Sequence, residues 1–515
     1  MAVTFPGTAG PDVFPGTAAV DDTAFGLAGD DTLSGLTGLD TLDGGADNDT
    51  LDGGADADLL LGDTGNDTLI GGAGADSLDG GAGNDTASYA GSGAGVTVDL
   101  LADTATGGDA TGDTLDFIEN LTGSDFVDTL TGDAGDNVID GGLLNDTISG
   151  GAGNDTLLGG SGEDDRITGG TGADSIDGGA GANDHALYTG SAAGIVVDLN
   201  LAVQVSPGSD ADGDALIGIE SVHGATGFAN VITGTDAVGE HLKGGTMADT
   251  LTGNGGDDWL DTEDGADTAF GGAGVDTLDG EGGNDSLFGG DDNDSLTGGA
   301  GNDTLNGGAG VDTAFYTDAT GALTVNLSLG TVTGGGIGTD KLISIENIVG
   351  ADFAGSISGS NGDNTITGGT AADTFNGNQG NDVLNGGGGD DTLQGAQGND
   401  TLNGDAGIDT LNGGAGHDTL NGGADDGDIM IGGAGNDAFV YNAGDGADTV
   451  LDMTKFDKLD FSSFGFADFA ADVLPLASFV SSKSFMLDFG GGDTLTVIGQ
   501  SLAYFTANGA GEVIL

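Results

Sequence analysis

The 515-residue chain contains no cysteine. No disulfide can hold its fold, and no thiolate is available for catalysis or metal binding. Basic residues number only 6 against 86 acidic ones, a formal charge of −80. A surface of that sign makes nucleic acid and anionic membranes poor partners. A compact state would also repel itself unless cations lie among the carboxylates. Only 5 prolines are present, which excludes collagen and polyproline chains. No apolar run reaches the roughly 20 residues of a membrane-spanning helix. The first residues, MAVTFPGTAGPDVF, lack the basic and apolar regions of a Sec-type signal peptide, so an export address would have to lie elsewhere. Few aromatics and extreme charge are a composition of disorder. Yet Leu, Ile, Val and Phe recur at strict intervals, which a disordered chain does not need.

What is present is a nonapeptide. GGAGNDTLN at 298–306 is one copy of G-G-x-G-x-D-x-U-x, where U is a large apolar residue. The first array carries its sixth-position aspartates at Asp31, Asp40, Asp49, Asp58, Asp67, Asp76 and Asp85. The second has Asp146, Asp155, Asp165, Asp174 and Asp184, opened by Asn137. The third has Asp249, Asp258, Asp267, Asp276, Asp285, Asp294, Asp303 and Asp312. The fourth has Asp373, Asp382, Asp391, Asp400, Asp409, Asp418, Asp428 and Asp437, opened by Asn364. One-residue insertions before Asp165, Asp184 and Asp428 leave the D-x-U spacing intact. The glycines read as a turn with exposed carbonyls, and x-U-x reads as a short strand with U inward. If successive units alternate sides of a flattened coil, two units make one turn. Leu33, Leu42, Leu51, Leu60, Leu69 and Leu78 then stack into one ladder per side.

Such a coil needs help. Fixing each backbone costs about 1–2 kcal/mol, while burying the single leucine of a unit returns roughly 2 kcal/mol. A divalent cation between turns would offset both this deficit and the charge repulsion. Carboxylate and carbonyl oxygens are hard ligands, and six to eight of them in a flexible loop suit calcium rather than magnesium.

With 28 aspartates in register, the arrays resemble the glycine- and aspartate-rich repeats of the RTX (repeats-in-toxin) family of secreted bacterial proteins, the hemolysin-type nonapeptide. The resemblance implies an all-β, right-handed parallel β-roll with calcium between turns on the same side. It implies that the sixth-position aspartates supply carboxylates and the glycine-rich turns supply carbonyls. If each ion needs units n and n+2, about 20 ions bind, fewer where asparagine replaces aspartate.

The arrays are expected at 26–86, 132–185, 244–313 and 359–438, after degenerate cap repeats in 1–25. Three mutually similar spacers separate them, at 87–131, 186–243 and 314–358. Each opens with Ala-x-Tyr and carries an alternating strand (VTVDL, IVVDL, LTVNL), then a second strand-like piece (FIENLTG, GIESVHG, SIENIVG). They read as wider rungs of one continuous solenoid rather than as flexible linkers. Tyr89, Tyr188, Tyr316 and Tyr441 each follow the last aspartate of an array by four residues. They read as amphipathic plugs closing the leucine ladder in preference to ligand-stacking platforms. Ten of the 21 phenylalanines lie between Phe439 and Phe505, so 439–515 is expected to be a β cap. That segment, with its terminal GEVIL, also resembles the targeting region of proteins exported by a type I secretion transporter.

Enzyme signatures are sparse. The chain has no HExxH and no GxSxG, and no GK[ST] phosphate loop. His185, His223, His241 and His417 look scattered. DADGDA at 210–215 mimics the start of an EF-hand, but Ala215 stands where that loop requires glycine. The recurrent Asn-Asp-Thr sequons read as by-products of the repeat. Since the repeats fill this chain, no non-repeat stretch of about 100 residues remains for a catalytic domain. The expectation is a secreted, extracellular or surface-associated calcium protein that folds on extracellular calcium, without enzymatic activity or membrane insertion. Its role would be structural, in a surface layer, matrix or adhesive rod, with self-association or cell-surface polysaccharide as partner. The alternative is a polysaccharide-acting enzyme or carbohydrate-binding module using the spacer face. Ice binding is disfavoured, because the third position is usually alanine rather than threonine.

Overall fold

The computed structural model describes every residue except Met1, Ala2, Asp426, Glu512 and Leu515. Two residues of the terminal GEVIL therefore lie outside the described residues. The chain divides into two units, Met1–Asp261 and Thr262–Leu515. Each is a parallel β-solenoid.

The register follows from the repeat. In the first unit Thr41 pairs with Leu59 and Leu42 with Leu60, and on the other wall Leu33 pairs with Leu51 and Leu51 with Leu69. In the second unit Leu384 pairs with Leu402 while Leu393 pairs with Leu411. Each strand thus meets the strand two nonapeptides later, and successive units alternate walls. Leu33, Leu42, Leu51, Leu60 and Leu69 are fully buried, so the core is the pair of apolar ladders.

The strands are longer than the x-U-x triplet. Thr41–Ala46, Thr50–Ala55 and Thr401–Ala406 each run six residues, taking in the first three positions of the next glycine motif. The turn proper is shorter than expected, and glycine is required largely for closeness. At the fourth position, a Cβ on Gly301 would lie 1.5 Å from the carbonyl oxygen of Gly283, and one on Gly416 would lie 1.4 Å from that of Gly398. The obstacle is backbone of the preceding turn, which cannot step aside. The second position is less strict, since Leu27, Leu36 and Asp63 hold it at φ of 79°, 72° and 68°.

The spacers are wider rungs, as expected, with an exchange of walls that the sequence did not show. In the first unit Leu78 pairs with Leu115, Ala87 with Leu121, and Val98 with Leu130. The rung therefore carries three parallel strands instead of two, and Thr104–Thr106 folds back antiparallel on Thr97–Asp99. The wall containing Leu78 ends at Thr114–Asp116, and a new one begins at Thr97–Asp99. The second spacer repeats the exchange, with Ile176, Ala186 and Val197 meeting Leu216, Val222 and Ile232. The third has the same three parallel pairings, Leu305, Ala314 and Val325 meeting Leu342, Ile348 and Ile357, but there Thr331–Gly334 joins the old wall to the new one by antiparallel pairing, so the sheet continues.

The expected β cap is present in the second unit. Ala477–Ser481, Ser484–Gly490 and Asp493–Ile498 form an antiparallel meander whose last strand pairs with Ala447–Val450. Phe461, Phe485 and Phe505 are buried there, and Phe464 stacks on Phe489 at 4.8 Å. The cap thereby covers an edge strand that would otherwise be open to pairing.

Gly301→Ala is expected to destabilise the calcium-loaded protein by roughly 1–3 kcal/mol, as overpacking against rigid backbone does. Gly91→Ala, with nothing within 4 Å of the added carbon, is the neutral control. Thermal unfolding in saturating calcium compares the two.

Candidate metal centre

The sixth-position aspartates are buried at the ends of the strands, and their two oxygens have different fates. Oδ1 accepts the backbone N–H of the aspartate one turn back. Asp31 N–H donates to Asp49 Oδ1 at 2.8 Å, Asp49 N–H to Asp67 at 2.8 Å, and Asp285 N–H to Asp303 at 2.8 Å, all 18 residues apart. The fourth array continues the rule, with Asp382 N–H donating to Asp400 at 2.9 Å and Asp391 N–H to Asp409 at 2.7 Å. Position five runs a parallel ladder along the rim, where Asn66 N–H donates to Asn48 Oδ1 at 2.8 Å and Asn302 N–H to Asn284 Oδ1 at 2.9 Å. The Asn-Asp pairs of the sequons are thus two side-chain ladders.

Oδ2 has no such partner. It is buried without a hydrogen bond in Asp31, Asp40, Asp49, Asp58, Asp67, Asp76 and Asp85 of the first array, and in Asp146, Asp155, Asp165, Asp174 and Asp184 of the second. The same holds for Asp285, Asp294, Asp303 and Asp312 of the third, and for all eight aspartates of the fourth. Asp249 differs, since its Oδ2 accepts the Gly245 N–H at 2.6 Å. A buried charged oxygen without a protein partner is costly, and its recurrence in every array fits the carboxylate donor of a cation site.

Carbonyls complete the setting. A Cβ built on Gly26 would lie 2.1 Å from Asp31 Oδ2 and 2.4 Å from the Gly44 carbonyl oxygen. Gly289 has Asp294 Oδ2 and the Gly307 carbonyl at 2.2 and 2.7 Å, and Gly386 has Asp391 Oδ2 and the Gly404 carbonyl at the same distances. Carboxylate and carbonyl from neighbouring turns therefore converge closely enough for one calcium, at about 2.3–2.6 Å from each ligand, to touch both. No group of three or more His, Cys, Asp or Glu side chains gathers around one point among the described residues. This donor set is instead largely backbone carbonyl, with isolated carboxylates, and these hard oxygens fit calcium.

The aspartate row also crosses the spacers, which the sequence reading missed. Asp76 N–H donates to Asp113 Oδ1 at 2.9 Å, Asp174 N–H to Asp214 at 2.9 Å, and Asp303 N–H to Asp340 at 3.0 Å. Glu119, Glu220 and Glu346 accept the N–H of Asp85, Asp184 and Asp312. The signal was an acid-x-U triplet, as in Asp113-Thr114-Leu115 and Glu119-Asn120-Leu121, and at Asp340 the full glycine motif Gly335-Gly336-Ile337-Gly338-Thr339-Asp340.

At several of these rungs a protein donor stands where an ion would. Tyr89 and Tyr188 are buried and donate O–H to Asp113 Oδ2 at 3.1 Å and to Asp214 Oδ2 at 2.9 Å. Tyr316 and Tyr441 are buried too, which leaves no open ring face for a ligand. Asn137 and Asn364 donate Nδ2–H to the carbonyls of Glu119 and Glu346 at 2.6 and 2.7 Å. Where a neutral donor exists, the free carboxylate oxygen is gone.

Comparison with known proteins agrees with this geometry. The RTX calcium-binding nonapeptide repeat (4 copies) matches residues 19–51, 52–87, 113–148, 145–164, 160–184, 243–278, 279–314, 358–393 and 394–429, together more than half of the chain. The chain belongs to the RTX calcium-binding repeat family. No curated protein matches it. Among solved structures it is similar to the extracellular lipase LipA from Serratia marcescens, at 17% identity and a TM-score of 0.20. The match covers 59% of this chain and 45% of the lipase, so it spans less than half of that protein and carries no argument about activity. No helix among the described residues of the RTX chain is long and apolar enough to cross a membrane.

Burial pushes Asp58, Asp67, Asp303 and Asp391 up to about 7, and neighbouring carboxylates add in the same direction. An unfolded aspartate titrates near 3.9, so between about 4 and 7 the ion-free folded state binds more protons than the unfolded one. Its stability is then present at low pH and lost as pH rises through 7. In chelator, β-structure measured by circular dichroism should grow between pH 7.5 and 5. With calcium the dependence reverses, and the calcium midpoint should move to higher concentration on acidification. A second expectation concerns the tyrosines. Tyr188→Phe orphans Asp214 Oδ2 and should cost about 1–3 kcal/mol in urea unfolding, although it removes almost no volume.

Proposed function

We propose that this RTX chain is a secreted, non-enzymatic calcium protein that folds on extracellular calcium, with a structural role in a surface layer, matrix or adhesive assembly. The observation carrying this reading is the row of buried Oδ2 atoms without partners. A chain bearing −80 charges and orphaned buried carboxylates cannot hold the solenoid closed by leucine ladders alone. In this reading the ligands are the 28 sixth-position aspartates and the carbonyls beside them. About 20 ions bind, fewer at the asparagine and tyrosine rungs. Extracellular-type sites with Kd of roughly 10⁻⁴–10⁻³ M are empty inside a cell and filled outside it. The chain would then cross a type I secretion transporter unfolded and fold on arrival, because ion binding and folding are one event. The cap segment 439–515 would carry the export address.

Calorimetric titration should yield about 20 calcium ions per chain, with β-structure appearing in the same concentration range. A handful of ions, or a fully folded chain in chelator at pH 7.5, would overturn the reading. Asp303→Ala should remove one or two ions, because Asp303 Oδ2 is lost and Asp285 loses the Oδ1 that receives its N–H. It should locally loosen the roll while the distant arrays retain theirs.

A further inference from the structure

The histidines are not scattered. Three of the four lie on the outward face of one wall of the first unit, on successive rungs. His185 pairs in register with Ser221, and Ser221 with His241, while His223 occupies the neighbouring column beside Leu187 and Lys243. His185 Nδ1 and His223 Nε2 are 3.2 Å apart. The rings of His223 and His241 follow at 5.7 Å, and His241 stacks on Trp259 at 4.3 Å. Two polar atoms in this cluster, His241 Nε2 and Ser221 Oγ, are buried and have no hydrogen-bond partner. The sequence separations of 38 and 18 residues hid the cluster, because only the wide second rung brings these positions into one row.

The spacing is that of ligands. Two imidazole nitrogens on a tetrahedral zinc, with metal–nitrogen bonds of about 2.0–2.1 Å, lie roughly 3.3 Å apart. The other nitrogen of His185, Nε2, is 3.0 Å from Asp164 Oδ1. That carboxylate favours the proton on Nε2 and leaves the Nδ1 lone pair facing His223, the arrangement by which an outer carboxylate orients a metal-ligating histidine. The charges around the row are Asp164, Arg166, Lys243 and Asp261, with Lys243 bridged to Asp261. The two carboxylates offset the two cations, so the site is not closed to a dication.

We propose that this row is a transition-metal site of the zinc type, ligated by His185 Nδ1 and His223 Nε2, with His241 as the third imidazole after a side-chain rotation and solvent in the remaining position. Imidazole nitrogen suits zinc, nickel and copper and is a poor donor for calcium, so the site is chemically separate from the aspartate rows. Since no three His, Cys, Asp or Glu side chains already converge among the described residues, the metal draws the third ligand in rather than filling a finished cage.

The test uses the full chain folded in excess calcium, which saturates the carboxylate rows, and zinc chloride as the probe. Calorimetry should find one zinc per chain above any weak background. His185→Gln and His223→Gln should each weaken it at least tenfold, while His417→Gln should leave it unchanged. Asp164→Asn, a positioning change, should weaken zinc by roughly 10–100-fold without altering the stoichiometry. With copper(II) as a second probe, the electron paramagnetic resonance spectrum should show nitrogen ligation that disappears in the His185→Gln, His223→Gln double variant. Circular dichroism in calcium confirms that each variant keeps its fold. Absence of zinc binding, or zinc binding indifferent to the double variant, would overturn the proposal, reducing the pair to a surface hydrogen bond or the signal to carboxylates. Either failure leaves the calcium reading untouched, because the donors differ.

Discussion

The structure depends on the divided use of one carboxylate. Oδ1 of each sixth-position aspartate extends the hydrogen-bonded ladder by accepting an amide that no strand carbonyl reaches. Oδ2 is left buried beside a carbonyl of the neighbouring turn. The first oxygen makes the residue structural, and the second leaves a buried negative charge that a cation would balance. Asn137 and Asn364 bond differently: each Oδ1 accepts an N–H of its own turn, from Asp133 and Ser360, and each Nδ2–H donates to a carbonyl of the preceding turn. A chain of 86 acids and 6 bases has no internal supply of positive charge to satisfy the second aspartate oxygen. Calcium in this family supplies it from outside.

The same requirement accounts for glycine. Carbonyls that are to share an ion must stand close across turns, and a Cβ would then meet backbone at 1.4–2.5 Å. The turn is therefore glycine because of its neighbours more than because of its own dihedral angles. Leu27 and Asp63 show that a positive φ can be tolerated where the approach permits it. The leucine ladders supply a dry interior, but with one buried side chain per nine residues it is a thin core.

The spacers follow the same logic with different partners. Asp113 and Asp214 occupy the aspartate row, but buried tyrosine hydroxyls take up their second oxygens. A phenol O–H is a neutral, covalently attached substitute for an ion, and it keeps the row intact across a rung that has lost its glycine turns. At the same rungs one wall ends and another begins, so the solenoid changes the face it presents. The histidine row lies on the wall that continues through the second of these rungs. Its members come from the end of the second array and from the second spacer.

Much of this was legible in the residues. The period of nine, the invariant D-x-U and the alternation of leucines determined a two-unit turn, the inward ladder and the aspartate row. Each of these is a local pattern, and a repeat multiplies local patterns without new information. The wide rungs were legible because the three spacers resemble one another, and the cap because its phenylalanines cluster. The tertiary structure alone decided which oxygen of each carboxylate is free, that Asp113, Asp214 and the three spacer glutamates join the row, and that Tyr89 and Tyr188 take up the second oxygens of Asp113 and Asp214. It also decided that histidines 18 and 38 residues apart share one face. These are contacts between turns, set by register across insertions of variable length. A single chain read from end to end carries the residue types for such contacts but not the distances between them.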